Sequence, residues 1–125
     1  MNKYFIEFLG TFFLVLTVAL TGNAIAVGAV LAAMVYMGGY ISGAHYNPAV
    51  TLAVFVRGKI NINEAIRYFI FQFLGSLIAA FVYFLISRKL FVPSQNPSYD
   101  TLAVLLTEFL FTFALAFVVL HTATS

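Results

Sequence analysis

Ser42-Gly43-Ala44-His45-Tyr46-Asn47-Pro48-Ala49-Val50-Thr51 is where this sequence departs from a simple string of membrane helices. Asn is a favoured helix N-cap and Pro suits the first helical position, so Asn47-Pro48 predicts a helix start. From Pro48 to Val56 that helix would rise only about 13 Å at 1.5 Å per residue, under half of a bilayer's hydrocarbon core. A helix that begins inside a membrane must have its free backbone groups buried in protein or facing water. The expected geometry is a re-entrant half-helix at the wall of a pore.

The surrounding composition fixes the class. The chain is 63% hydrophobic and 8% charged, with a mean hydropathy of +1.04. Soluble domains carry about a quarter charged residues. Four apolar runs, 4–20, 24–41, 68–86 and 102–119, are each long enough to cross a bilayer as a helix. A net charge of +2, with its basic residues scattered between runs, argues against nucleic acid as a partner. The absence of cysteine rules out disulfides and thiolate metal sites. The first run carries Glu7, nearly reaches span length and has no small-residue cleavage site after it, so it reads as a span and not a removable signal. The fold class is therefore an all-α membrane protein of four transmembrane helices plus one re-entrant half-helix.

The basic residues set an orientation. Lys3, Arg57, Lys59 and Arg67 fall on one side, Arg88 and Lys89 on the other. The larger group predicts cytoplasmic termini at both ends of the segment, with 88–100 outside. Tyr4, Tyr40, Tyr68, Tyr83 and Tyr99 lie near run ends, as an aromatic belt requires. Between the runs, Thr21-Gly22-Asn23 reads as a tight turn, and Asn61 or Asn63 as a helix cap before Glu64. A second Asn-Pro pair, Asn96-Pro97, lies in a polar loop and reads as a turn. Pro97 also disqualifies Asn96 as a glycosylation acceptor.

Glu7-Phe8-Leu9-Gly10-Thr11-Phe12-Phe13-Leu14 recurs as Glu108-Phe109-Leu110-Phe111-Thr112-Phe113-Ala114-Leu115, with six of eight positions identical. Three spans separate the starts of the copies, so they run in opposite directions across the membrane. Inverted repeats of this kind place transport sites at the repeat interface, between broken helices. The implied division is a first repeat over 1–92, and an outside loop with the first helix of a second repeat over 93–125.

With these residues in view, the sequence resembles the major intrinsic protein family, the aquaporins and glycerol facilitators. The likeness runs from Glu7-Phe8-Leu9-Gly10-Thr11-Phe12 through Ser42–Thr51 to Thr107-Glu108-Phe109. It implies a passive channel for water or small neutral solutes, with glycerol or another polyol as the alternative. It also implies two half-helices meeting at the bilayer centre and a homotetramer with one pore per subunit. A non-conducting structural membrane subunit is the reading from a different class. The expected location is a plasma or inner membrane, with the lipid bilayer itself as a partner.

The chemistry of such a site can be argued from the residues. A half-helix N-terminus carries about half a positive charge and several free N–H donors. In mid-membrane it repels cations and protons, while the Asn47 amide donates to a solute oxygen. The extended segment expected at Gly43, Ala44 and His45 offers carbonyl acceptors along the lumen. Aquaporin-type pores are themselves a standing example of this selectivity logic. The half-helix starts at Pro48 and Ala49. The resemblance adds Val27 to the pore wall, at a position often aromatic in water and glycerol pores. It also implies that Glu7 and Glu108 each brace a re-entrant loop by accepting hydrogen bonds from its backbone or His, Glu7 holding the segment around Gly43 to Tyr46 with His45 as a partner.

Other residues carry less. His121 reads as a surface histidine at the end of the last span. Gly39 with Gly43, and Gly75 with Ala79, are spaced to let helices approach closely. No metal site, cofactor or nucleophile–base pair is legible, so an enzyme is not expected. The family pattern has six spans and a second Asn-Pro-Ala segment followed by an arginine. This sequence stops at Ser125, after the fourth run. The favoured expectation is therefore a truncated, aquaporin-like inverted-repeat fold whose second half is missing. A half-channel that pairs with a partner chain is the alternative.

Overall fold

The computed structural model describes residues 2–123. They form α1 (Lys3–Leu20), α2 (Ala24–Ser42), α3 (Pro48–Val56), α4 (Ile62–Ser87) and α5 (Thr101–Ala123). Four of the five, all but α3, are long and apolar enough to cross a membrane. At 9 residues α3 is a half-helix.

Each helix starts where a short polar side chain can satisfy free backbone donors. Asn2 accepts from the Tyr4 N–H at the head of α1. Asn23 accepts from Ile25 and Ala26 at the head of α2. Asn61 and Glu64 form a reciprocal capping box, which selects Asn61 over Asn63 and starts α4 six residues before its apolar run. The Asp100 carboxylate accepts from the Ala103 N–H at 2.7 Å as α5 begins. Before it, Asn96 accepts the Ser98 N–H on its side chain at 2.9 Å and the Tyr99 N–H on its carbonyl at 3.2 Å. The second Asn-Pro pair thus closes a turn.

Helix α1 is the hub. It packs along α4 and against α2, while α3 lies against α4 and α5. The α1–α4 approach depends on Gly75: a Cβ there would lie 2.6 Å from the Phe8 carbonyl oxygen and 3.1 Å from the Phe12 nitrogen. Gly39 has no comparable role, since its Cβ would meet only Val35 of its own helix, at 3.9 Å. The buried cluster of Ile6, Ala44 and Tyr46 sits between α1 and α2, with Leu14, Leu31, Met34, Met37 and Ile41 packed on it. Tyr46 is the wedge. Its ring occupies the space a Cβ on Gly10 would take, and its hydroxyl the space of a Cβ on Gly38. Because Gly38 is bare, that hydroxyl reaches into α2 and donates to the Met34 carbonyl at 2.6 Å. Large apolar side chains such as Tyr36, Leu102, Phe109 and Phe111 face outward, as lipid contact allows.

Gly75→Ala drives a methyl into α1 backbone, which has no rotamer to relieve it. Thermal unfolding in detergent should register a loss of about 1–3 kcal/mol, the usual cost of overpacking. Gly28→Ala, whose Cβ meets open space, should stay within about 0.5 kcal/mol of the parent protein. Equal stabilities would mean that α1 and α4 do not touch at Gly75.

Candidate pore site

The site is built on one carboxylate. Glu7, on α1, is fully buried. Its Oε1 accepts from the Ser42 hydroxyl at 2.7 Å and the His45 N–H at 2.9 Å. Its Oε2 accepts from the Tyr46 N–H at 2.7 Å and the Gln72 amide at 3.0 Å. A carboxylate anion offers about four lone-pair sites, and four donors from α2, the 43–46 segment and α4 fill them. His45 meets Glu7 through its backbone, not its ring.

The segment between α2 and α3 is not extended. Gly43 ends α2 as its left-handed cap at φ 85°, and Ala44 and Tyr46 also lie at positive φ, 51° and 53°. Such turning lets successive backbone N–H groups converge on one anion, the arrangement called a nest. Left-handed backbone costs a non-glycine residue about 1–2 kcal/mol, so the segment needs the carboxylate as much as the carboxylate needs the segment. Further bonds hold it: Tyr68 donates to the Ser42 carbonyl at 2.7 Å, Ala44 N–H to the Ser42 hydroxyl at 3.0 Å, and Thr11 to the Tyr46 carbonyl at 3.4 Å.

Asn47 follows directly. Its side-chain oxygen accepts from the Ala49 N–H at 2.8 Å, with Pro48 at the first helical position. Asn47 thereby commits its acceptor to the cap, while its Nδ2 has no hydrogen-bond partner among the described residues. Behind it, Thr51 and Val50 are buried and tie α3 inward.

A cavity of about 650 Å³ opens beside this segment. Val27, Ala44, His45, Tyr46 and Asn47 are in its wall, opposed by Leu14, Val15 and Val18 of α1 and by Leu115, Val118 and Val119 of α5. The wall is apolar except for the strip from His45 to Asn47 and Thr122. Gly43 is absent from it, because its backbone is used in ending α2. Glu108 is elsewhere. It is exposed on α5 and lines a separate groove with Gln95, Tyr99 and Thr107, so the structure brings Glu7, His45 and Asn47 together without Glu108. His121 lies on an exposed turn of α5, its Nδ1 2.9 Å from the Phe117 carbonyl.

Sequence reasoning missed Ser42, Thr51, Tyr68 and Gln72. Gln72 carries a legible signal: an amide inside an apolar span needs a polar partner. Nothing in the sequence says that the partner is on α1.

Comparisons with known proteins place the sequence in a family. The sequence matches the model of the family described as Major intrinsic protein over residues 16–125. The chain belongs to that family. It is 38% identical to Aquaporin NIP1-4 of Oryza sativa subsp. japonica over 133 aligned residues, covering 94% of this chain and 49% of that protein. It is 34% identical to Aquaporin NIP1-1 of Arabidopsis thaliana, covering 99% and 50%. It is 35% identical to Aquaporin Z of Brucella melitensis biotype 1, covering 70% and 45%. The chain spans about half the length of these curated relatives. As a major intrinsic protein with four apolar helices, it is an integral membrane protein.

Glu7→Gln leaves one oxygen where two stood and aims an amide N–H₂ at backbone donors. Two of the four donors lose their acceptor, at about 1–3 kcal/mol each. The variant should be less stable by about 2–6 kcal/mol in detergent unfolding. Glu64→Gln keeps its capping box and gives up only the partly exposed ion pair with Lys3, a loss under about 1 kcal/mol. Equal unfolding curves for the two variants would remove Glu7 as the brace.

Proposed function

We propose that this chain supplies half of a passive channel for water or small neutral solutes, its lumen running past Asn47 at a mid-membrane half-helix N-terminus. The observation that carries the reading is the capped start of α3 in the wall of a mostly apolar cavity, with the Asn47 amide N–H₂ without a hydrogen-bond partner among the described residues. An amide donor beside a helix's positive end offers a neutral solute one hydrogen bond and offers a cation only repulsion. The positive end also sits where the low dielectric of the surroundings makes that repulsion strong.

The rest of the lumen comes from further protein in this proposal: the second half of the same gene product, or a partner chain. The 1–92 segment is the first repeat, and 93–125 opens the second. Glu108 then braces that half's own loop, as Glu7 braces 43–46. Both ends of the segment face the cytoplasm, and the complete channel is a homotetramer. Val27, Ala44, His45 and Asn47 border the solute path, and Pro48 and Ala49 begin the half-helix. Water and glycerol are both in view, because the similar proteins include several aquaporins and a Lactiplantibacillus plantarum protein named as a glycerol uptake facilitator-like protein, 38% identical over 64% of this chain.

The gene product purified from its own membrane should first be weighed intact. A mass near 13.8 kDa identifies a half-channel that pairs with another chain; about twice that identifies a channel in one chain. Reconstituted in vesicles, it should shrink them under an osmotic gradient faster than protein-free vesicles, with a lower activation energy. Glycerol-driven reswelling separates a polyol pore from a water pore. Flux of both solutes at the lipid background would overturn the channel and favour a structural subunit.

A further inference from the structure

Gln72 and Thr51 form a relay that the brace and the cap do not account for. Gln72 is 1% exposed and Thr51 is fully buried. The Gln72 amide nitrogen is 3.0 Å from Glu7 Oε2 and 2.9 Å from the Thr51 hydroxyl oxygen. Thr51 in turn lies 2.9 Å from His45 Nδ1. The amide oxygen has no hydrogen-bond partner among the described residues. Turning the amide over would set that oxygen against the carboxylate, so the anion fixes which end of Gln72 points inward.

Polarity then passes in one direction. Both Gln72 amide hydrogens are committed, one to Glu7 and one to Thr51. Thr51 accepts from Gln72, and its single hydroxyl hydrogen has His45 Nδ1 as the acceptor within reach. An Nδ1 that accepts leaves the ring proton on Nε2. The ring also packs on Tyr68, centroids 4.6 Å apart and planes tilted by 32°. We propose that Gln72 and Thr51 are positioning residues that transmit the polarity of the Glu7 carboxylate to His45 and lock its ring as the neutral Nε2–H tautomer.

The relay joins α1, α3 and α4 through three side chains, so the start of the half-helix and the state of the ring are set together. Its consequence for transport rests on the channel reading. A ring held neutral adds no second cation beside the positive end of α3. The amide link transmits hydrogen-bond direction without itself carrying a proton from the lumen to Glu7.

The test is ring ¹⁵N spectroscopy of the natural gene product, labelled with [¹⁵N]histidine and held in lipid at neutral pH, with His45 assigned from its loss in His45→Gln. Imidazole on its own favours Nε2–H modestly, so variants make the comparison decisive. The parent protein should hold Nε2–H in about tenfold or greater excess, one ordinary hydrogen bond's worth. Thr51→Val, which keeps the shape and removes the hydroxyl, should raise the minor Nδ1–H form several-fold, and Thr51→Ser should restore the parent spectrum. Gln72→Met should behave like Thr51→Val. A parent ring that is Nδ1–H or doubly protonated would overturn the relay, as would an unchanged spectrum in Thr51→Val. A parent-like spectrum in Gln72→Met would overturn the part assigned to Gln72. Should Gln72→Met fail to fold, the parent and Thr51→Val spectra still decide. The spectrum reads the ring whether or not the cavity conducts, so failure of the relay and failure of the channel reading are separable.

Discussion

A carboxylate buried within a membrane helix is tolerated only when donors replace the water it has lost, because an isolated ion in such surroundings costs many kcal/mol. Glu7 meets that condition with four donors, no two from the same residue. The number matters more than any one bond. With every lone-pair site occupied, the anion has one arrangement of neighbours, and that arrangement specifies where α2 must stop and where α3 must start. The half-helix follows from the carboxylate, and not the reverse: a 9-residue helix is too short to hold its own position in lipid.

The same requirement explains the unusual backbone of the segment. Ala44 and Tyr46 hold left-handed conformations that cost energy and would relax without a partner. The anion supplies the offset, and Tyr46 fixes the rest by wedging between helices whose Gly10 and Gly38 have no side chain to exclude it. Two small residues far apart in sequence are therefore part of the site although neither touches the cavity. Their role is steric: they let one aromatic side chain connect the brace on α1 to a carbonyl of α2.

Much of the fold is legible in the sequence because membrane helices announce themselves by length and composition, and the half-helix by its Asn47-Pro48 start. Legibility fails where the signal is not local. The first turns of α4 are polar, so its apolar run understates the helix by six residues. Asn61 and Asn63 are equally good caps by type, and only the reciprocal reach of Glu64 separates them. At the site, the family resemblance directs attention to Glu7 and to the loop backbone or His45 as its partner, and leaves open which of the two engages; the structure uses the His45 backbone N–H. Gly43, Ala44 and His45 read as extended because nothing in a Gly-Ala-His string demands three-dimensional convergence on an anion 36 or more residues away. The pairing of Gln72 with Glu7 and Thr51 is not legible for a related reason. A polar residue in a span states a need for a partner without naming it.

The two copies of the repeated octapeptide make the last point. Glu7 on α1 and Glu108 on α5 are each followed by Phe-Leu and by a threonine four residues on, yet one is enclosed by four donors and the other is exposed. The helix sequence by itself therefore does not create the site; donors from other elements do. For Glu7 these come from Ser42, His45, Tyr46 and Gln72, all later in the chain and all drawn to α1 by the packing of α2 and α4. Glu108 has the same chemistry within an apolar helix, but its groove offers as polar partners the loop side chains Ser94, Gln95 and Asn96 together with Tyr99 and Thr107. A carboxylate at that depth has the same need for donors, whatever surrounds it. What satisfies Glu7 is a set of donors from three elements: two consecutive backbone N–H groups of the 43–46 segment, the Ser42 hydroxyl at the end of α2 and the Gln72 amide on α4.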